Sequence, residues 1–592
     1  MTSAVRTLLL ALVLLVLAVP AAVNAQGGPP EGKADKAQTT EVQILGLNDF
    51  HGNLEPPAGS GGRIGALTDI DPGPGTNLQC VEPTCYLAGG IEYLATHVRE
   101  LEKTNPNSVF VSAGDLIGAT PLLSALFHDE PTIEGFNAMG LDFNGVGNHE
   151  FDEGIDELLR MQNGGCHPVD GCLDGDGFAG SDFQFLAANV KYKSNGETIF
   201  PPYAIKKFKG GIEIAFVGMT LEGTPSIVSP GGISTVDFFD EADSVNALVP
   251  VLKRQGVETI VVLLHEGGTT TNSQGVGTVA AINECNALSG ALPPIVERMD
   301  DEIDVVVTGH TNWAVNCVVD GKIVTGAAHQ GRLVTDIDLT ISRATKDVVS
   351  AKVNNHIVTR TVAKAPDLTA LIAKYQTIAA PIANRVIGRI TADITRATTP
   401  AGESALGDVI ADAQLDATKA ADRGAAVVAF MNPGGIRADL IYAGSPAGEG
   451  DGNVTYGEMF SVQPFGNSMV TMTLTGAQIE RLLEEQFAGC TLASARVLQV
   501  SVGFTYTWKL SGPVCDKVDP ATIKIGTTTV SPTASYRVTV NSFLAEGGDS
   551  FPILVQGTNR LGGEVDTDAL ERYIATNSPV APGPRNRITQ VP

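Results

Sequence analysis

Along the chain, short apolar runs stop abruptly on polar residues of the kind that bind metals or move protons. Val42-Gln43-Ile44-Leu45-Gly46-Leu47 stops at Asn48-Asp49-Phe50-His51. Ser108–Ala113 stops at Gly114-Asp115, and Asp142–Gly147 at Asn148-His149. Thr259–Leu264 runs into His265, and Ile303–Thr308 into Gly309-His310-Thr311-Asn312. Apolar runs this short, bounded by turn residues, predict buried strands. Between them lie stretches of helical period, such as Gly90–Lys103, with Ile91, Leu94, Val98 and Leu101 on one side. Strands alternating with helices predict an α/β fold, whose sites form at the C-terminal edge of the strands. Five runs that deliver polar residues at that same end point to one shared site.

Further on, Val349–Val362 is strand-like, and Asp367–Ile387 has a helical period with Leu368, Leu371, Ile372, Tyr375, Ile378 and Ile382 on one side. This helix is expected to connect two domains, and Pro381 to bend it or end it early. The second half changes character. Ser404–Asp422 predicts a helix, Ala425–Met431 a strand, and Asn432-Pro433-Gly434-Gly435-Ile436-Arg437 a glycine turn. Alternation over Met469–Leu474 predicts a strand, and Gly476–Gln486 a helix. Several β-rich segments follow before Asn541–Phe551, and no internal repeat is found.

A length of 592 residues exceeds one core and predicts two large domains. With 43% apolar and 18% charged residues the chain is globular in composition. A net charge of −27, spread along the chain, argues against a nucleic-acid polymer or an anionic membrane as partner. An anionic small substrate then requires metals or arginines to reverse the field locally. Arg6, the apolar run Leu8–Val19 and Val23-Asn24-Ala25 predict a cleavable secretory signal over 1–25, with a flexible lead-in over 26–40. The mature protein is therefore expected outside the cytoplasm, periplasmic or extracellular, without a membrane span. Eight cysteines suit an oxidising location. Nearest-neighbour pairing, one connectivity among many, gives Cys80–Cys85, Cys166–Cys172, Cys285–Cys317 and Cys490–Cys515.

Asp49, His51, Asp115, Asn148, His265, His310 and Asn312 combine imidazole, carboxylate and amide oxygen. That mixture suits Zn²⁺, Mn²⁺, Fe or Co²⁺ better than Ca²⁺. Seven ligands are too many for one first-row ion and suit two that share a carboxylate, the arrangement that supports in-line displacement at phosphorus. His149 can hold or donate a proton, with Asp152 fixing its tautomer. Any one of these residues alone is as readily a helix cap or a surface group; the set together is the signal.

Asp49-x-His51, Gly114-Asp115, Gly147-Asn148-His149-Glu150, His265 and Gly309-His310-Thr311-Asn312 resemble the calcineurin-like metallophosphoesterase pattern in order and spacing. Asn432-x-Gly434-Gly435-Ile436-Arg437, Gln463-Pro464-Phe465-Gly466 and Asn541-x-Phe543-Leu544-Ala545-x-Gly547-Gly548-Asp549 resemble the C-terminal domain of secreted 5′-nucleotidases and UDP-sugar hydrolases. The resemblance implies an N-terminal four-layer α/β/β/α sandwich over 41–362, a connecting helix over 363–387, and a C-terminal α+β substrate domain over 388–592. It implies a first ion on Asp49, His51, Asp115 and Asn312. A second would lie on Asp115, Asn148, His265 and His310, with Asp115 bridging. His149, oriented by Asp152, would stabilise the transition state or protonate the leaving group. Phe465 and Phe543 would stack on a base, Asp549 would orient the nucleoside, and Asn432 and Arg437 would contact the phosphate side.

The implied activity is phosphate release from nucleoside 5′-monophosphates, with closure about the connector. A 2′,3′-cyclic-nucleotide phosphodiesterase, a UDP-sugar hydrolase or an NAD pyrophosphatase would use the same core. A noncatalytic nucleotide-binding surface protein is the alternative outside enzymes. Two positions depart from the pattern. Asn312 stands where the compared members have His or Gln. Thr398–Glu403 replaces a segment that carries arginines in relatives, leaving Arg396 the nearest cation. Oligomeric state is left open.

Overall fold

Twelve strands build two six-stranded sheets in the N-terminal domain. They are β1 (Thr39–Leu47), β2 (Ser108–Ser112), β3 (Phe143–Gly145), β4 (Gln184–Leu186), β5 (Tyr203–Phe208) and β6 (Ile212–Thr220), then β7 (Thr259–His265), β8 (Val305–Thr308), β9 (Ala314–Val319), β10 (Lys322–Ala327), β11 (Leu333–Ser342) and β12 (Val348–Ile357). The computed structural model describes residues 38–57, 59–69, 78–228, 232–270, 278–491 and 495–592, so the expected signal and most of the lead-in lie outside them. The first sheet is ordered β12-β11-β1-β2-β3-β4 and the second β5-β6-β7-β8-β10-β9. Strands β1 to β4 run parallel, as do β6, β7, β8 and β10.

Alternation along each strand decides which layer a side chain joins. In β1, Val42 and Ile44 enter the layer between the sheets, while Leu45 and Leu47 face outward. In β7, Val261 and Leu263 point inward, and Ile260, Val262 and Leu264 outward. Both sides are buried, which is why these segments read as unbroken apolar runs. The outward face of the first sheet is covered by α1 (Ile91–Glu102), α2 (Glu130–Met139) and α3 (Ile155–Asn163). Helices α4 (Glu241–Arg254) and α5 (Leu292–Arg298) cover the second. The result is the four-layer α/β/β/α sandwich.

Helix α6 (Pro366–Ala383) contains Pro381 in its last turn and ends before the expected Ile387. Leu368, Ile372, Tyr375 and Ala379 join the core under the first sheet. Ile378 and Ile382, expected on the same side, have rotated outward and are 36% and 43% exposed. Lys374 Nζ lies 2.8 Å from Asp174 Oδ2, and Tyr375 donates its hydroxyl to Glu134 at 3.0 Å. Just beyond, Arg385 pairs with Glu571 at 2.5 Å. The helix thus packs with the N-terminal domain, and the chain crosses to the other domain around Asn384.

The C-terminal domain is α+β. Strands β13 (Val428–Met431), β14 (Ser468–Thr475), β15 (Gln499–Val500), β16 (Ser535–Asn541) and β17 (Thr558–Val565) form a sheet ordered β15-β13-β16-β14-β17. Helices α7 (Ala405–Thr418), α8 (Gly476–Glu485) and α9 (Asp566–Thr576) pack around it. Ser404 caps α7 by accepting from Gly407 N at 3.1 Å, and Thr475 with Gln478 forms a capping box on α8. All four expected cysteine pairs are disulfides. Among the described residues no helix is long and apolar enough to cross a membrane.

Candidate active site

Strands β1, β2, β3, β7 and β8 end side by side, so their polar termini meet. His265 Nδ1 donates to Ala113 O at 2.7 Å, which turns Nε2 into the site, 3.0 Å from Asp115 Oδ2 and 3.1 Å from Asn148 Oδ1. His310 Nδ1 lies 2.9 Å from the same Asn148 oxygen. On the other side, His51 Nδ1 donates to Gly118 O at 2.9 Å, and its Nε2 lies 3.8 Å from Asp115 Oδ2 and 3.9 Å from Asp49 Oδ1. One Asp115 oxygen therefore faces both groups. Asn312 is half-buried two residues past His310, with its amide nitrogen 3.4 Å from the His310 carbonyl.

Aiming imidazole lone pairs at carboxylate oxygens is repulsive unless a cation lies between them. The charges say the same. Burial pushes Asp49 up to about 7, and burial pushes His51 and His310 down to about 3, the neutral ligand form. Burial opposes the charged form of His265, yet Asp115 drives its pKa up to about 10. The donor set fits divalent metal. Asp49, His51, Asp115, His310 and Asn312 all have left-handed backbone, with φ between 48° and 68°. Such residues cost about 1–2 kcal/mol each and collect at functional sites.

His149 sits at the rim. Its Nδ1 donates to Asp152 Oδ2 at 2.8 Å, and its backbone N–H donates to Asp115 Oδ1 at 2.9 Å. Burial opposes its protonation, but Asp152 and Asp115 raise its pKa overall. The C-terminal domain covers it: the Phe465 ring stacks on the imidazole at 5.9 Å between centroids, and the Arg437 guanidinium lies 5.8 Å from the Phe465 ring centre. Burial lowers the Arg437 pKa, while Asp152, Asp115 and Asp49 favour its charge. A cavity of about 80 Å³ beside the dyad is lined from both domains, by His149 and Asp152 on one side and Pro464 and Phe465 on the other.

The remaining expected residues lie deeper in the C-terminal domain. Asn432, expected on the phosphate side, donates to Asp549 at 2.8 Å and accepts from Asn541 at 2.9 Å. Phe543 lies flat on Gly548, where a Cβ would come within 2.5 Å of the ring. Phe465, the other expected ring, stacks on His149. Arg396 donates to the Arg437 carbonyl at 2.7 Å and pairs with Asp439 at 3.3 Å, which makes it a support for Arg437.

Three residues were not singled out from the sequence. Asn48 donates to Asp49 Oδ2 at 2.6 Å and accepts from Ala327 N at 2.7 Å, holding Asp49 in place. Buried Glu150 accepts from the backbone N–H groups of Asp115, Leu116 and Gly147 at 3.0, 3.0 and 2.8 Å. Arg496 pairs with Asp549. The motif contained Glu150, but its role runs through backbone donors that no side-chain pattern reports. Gly147 is required beside it, since a Cβ there would stand 2.3 Å from Asp115 Oδ1.

Comparison with known proteins agrees with this geometry. The calcineurin-like phosphoesterase family matches residues 42–313, and the 5′-nucleotidase C-terminal domain matches residues 386–556. Cell wall protein Lmo0130 of Listeria monocytogenes is 31% identical over 91% of this chain. The chain belongs to the calcineurin-like phosphoesterase family, in its two-domain 5′-nucleotidase form. Endonuclease YhcR of Bacillus subtilis is 33% identical over 92% of the chain. The chain spans 41% of YhcR and 67% of Lmo0130. The crystal structure of a 5′-nucleotidase precursor from Thermus thermophilus has the same fold, with a TM-score of 0.71 and 24% identity over 93% of this chain and 99% of that one.

As a member of this family the protein is a metal-dependent phosphoester hydrolase, and the converging ligand groups are its candidate sites for divalent ions. Glu150 gives a direct test of how that cluster is supported. In Glu150→Gln an amide NH₂ replaces one carboxylate oxygen and faces backbone donors. The substitution is expected to cost about 1–3 kcal/mol of stability and to lower metal retention, read by thermal unfolding with and without chelator. A variant that unfolds and holds metal like the parent refutes this role.

Proposed function

We propose that the protein is an exported phosphohydrolase that uses two divalent ions to release phosphate from nucleoside 5′-monophosphates. Asp49, His51, Asp115 and Asn312 would hold one ion, and Asp115, Asn148, His265 and His310 the other. Zn²⁺, Mn²⁺, Co²⁺ or Fe suits these donors. Bound ions supply Lewis-acid polarisation and a lowered pKa for attacking water. His149 donates its Nε2 proton to the departing ribose oxygen, and Asp152 keeps the opposite nitrogen protonated. Arg437 adds a guanidinium to the phosphate side. Phe465 and Phe543 take the base between them once Phe465 swings off His149, and Asp549 with Asn432 orients the nucleoside. The domains divide around Asn384 and close on the substrate.

The observation that carries the reading is the His149–Asp152 pair at 2.8 Å, placed between the ligand cluster and the aromatic and arginine side chains of the other domain. Export rests on the sequence of the first 25 residues and on the cell-wall name of one relative. A second reading, cleavage of polynucleotide, follows from the name of YhcR; the net charge of −27 weighs against it.

Chelator-stripped protein is expected to release phosphate from AMP only after Mn²⁺, Zn²⁺, Co²⁺ or Mg²⁺ is returned singly. UDP-glucose, 2′,3′-cyclic AMP, NAD and a single-stranded DNA oligonucleotide run beside it. Turnover of one of these with AMP inert keeps the core chemistry and replaces the substrate. Nucleotide binding without any turnover in metal-replete protein would replace the enzyme reading with a binding protein.

A further inference from the structure

We propose that Asp129 is a positioning residue for the ion on His51, acting through Gly118. The inference rests on the two-ion reading above and deepens it: two buried carboxylates support the metal centre, and each serves a different part of it.

The loop that follows β2, residues 114–120, delivers Asp115 and then bends back beneath His51. Asp115, Gly118 and Ala119 are left-handed, with φ of 53°, 79° and 51°. Glu150 holds the first end of this loop by the backbone N–H groups of Asp115 and Leu116. Asp129 holds the other end. Its Oδ2 accepts from Gly118 N at 3.0 Å, and its Oδ1 accepts from the Ser124 hydroxyl at 2.6 Å. Asp129 directly precedes α2, where an aspartate ordinarily caps the helix by accepting from its first turn. It makes no such bond, and its own φ is 62°. A carboxylate only 7% exposed needs its hydrogen bonds to offset desolvation, and this one directs them to the loop instead of its helix.

What Gly118 touches defines the role. Its carbonyl accepts from His51 Nδ1 at 2.9 Å, which turns Nε2 towards Asp49 and Asp115. Its other side lies against the dyad: a Cβ there would stand 2.3 Å from His149 O and 2.9 Å from Asp152 Oδ2. A shift of Gly118 is therefore felt at the His51 ring. His265 takes its support elsewhere, from Ala113 O at 2.7 Å, and the backbone of His310 is tied to Asp49. The group that receives the second ring N–H of a metal-binding histidine sets its orientation, and disturbing such a partner costs about 10–100-fold in metal affinity. Glu150 supports Asp115, which faces both ligand groups; Asp129 supports His51, which belongs to one.

The competing role is purely structural, with Asp129 tying the loop to α2 and bearing on no ion in particular. Full-length protein and its Asp129→Ala, Asp129→Asn and His51→Ala variants separate the two. Each is equilibrated in zinc buffers of graded free concentration, and the ions retained per chain are counted, with thermal unfolding of the stripped proteins as a check on folding. In Asp129→Ala one ion is expected to need about 10–100-fold more free zinc while the other is unchanged. Adding Asp129→Ala to His51→Ala should weaken the remaining ion no further. Asp129→Asn should stay within about threefold of the parent, because its amide oxygen still accepts from Gly118 N while Ser124 turns its hydroxyl to Thr132, 2.7 Å away. Both ions weakened alike, or neither weakened, in a folded Asp129→Ala overturns the proposal and leaves the two-ion reading standing. If Asp129→Ala does not fold, an Asp129→Asn that folds but loses an ion as His51→Ala does overturns it. A parent that holds fewer than two ions overturns both.

Discussion

Asp115→Asn is expected to reduce phosphate release by at least about a thousandfold, the scale of losing several kcal/mol of metal-based charge stabilisation. Asp115 Oδ2 stands 3.0 Å from His265 Nε2 and 3.8 Å from His51 Nε2, and Oδ1 receives the His149 backbone N–H. Burial works against its ionisation, yet His265 and His149 hold it well below the usual carboxylate range. An asparagine removes one full charge from between the two groups of imidazoles and can offer only one oxygen. Metal content measured on the purified variant should fall by one or both ions. If the variant keeps both and stays within tenfold of the parent, Asp115 does not bridge.

The second large effect belongs to His149. His149→Ala should lower kcat for AMP by about 10²–10⁴, the usual range for a positioned general acid. Metal content is the check on this role: His149 lies in one candidate ligand group with His51 and Asp115, so unchanged metal is the result expected of an acid and lost metal that of a ligand. The discriminating measurement is the leaving group. p-Nitrophenolate departs without help, so the same variant should lose only about tenfold with p-nitrophenyl phosphate if proton donation is the role. Equal losses on both substrates would move His149 from acid to transition-state stabiliser.

How much of this was legible in the sequence follows from which forces leave a periodic trace. The five strand ends were legible because a doubly covered sheet demands unbroken apolar runs, and each run stopped where the candidate ligands begin. Val261 and Leu263 facing one layer and Val262 and Leu264 the other account for that signal. Glu150 and Asn48 left no trace of function because they act on backbone groups and on a neighbouring carboxylate. Arg496 sits in a loop without period. The outward turn of Ile378 and Ile382 shows the opposite error: a helical period continued past the core it was packing against. The stacking of Phe465 on His149 depends on how two domains meet, which no local pattern encodes.

The disulfides have a consequence for how the molecule comes apart. Three close loops of 5, 6 and 32 residues of separation within the N-terminal domain, and one closes 25 residues within the other. In the chain-entropy picture such loops confer from about 2 to about 4 kcal/mol each. All of that is spent inside one half or the other, and none of the four bridges spans Asn384. The halves are thus separately laced and share one covalent thread. A single proteolytic nick at that thread would leave two bodies joined only by their non-covalent contacts, each keeping its own cross-links, whereas reductant would slacken both and leave them tethered.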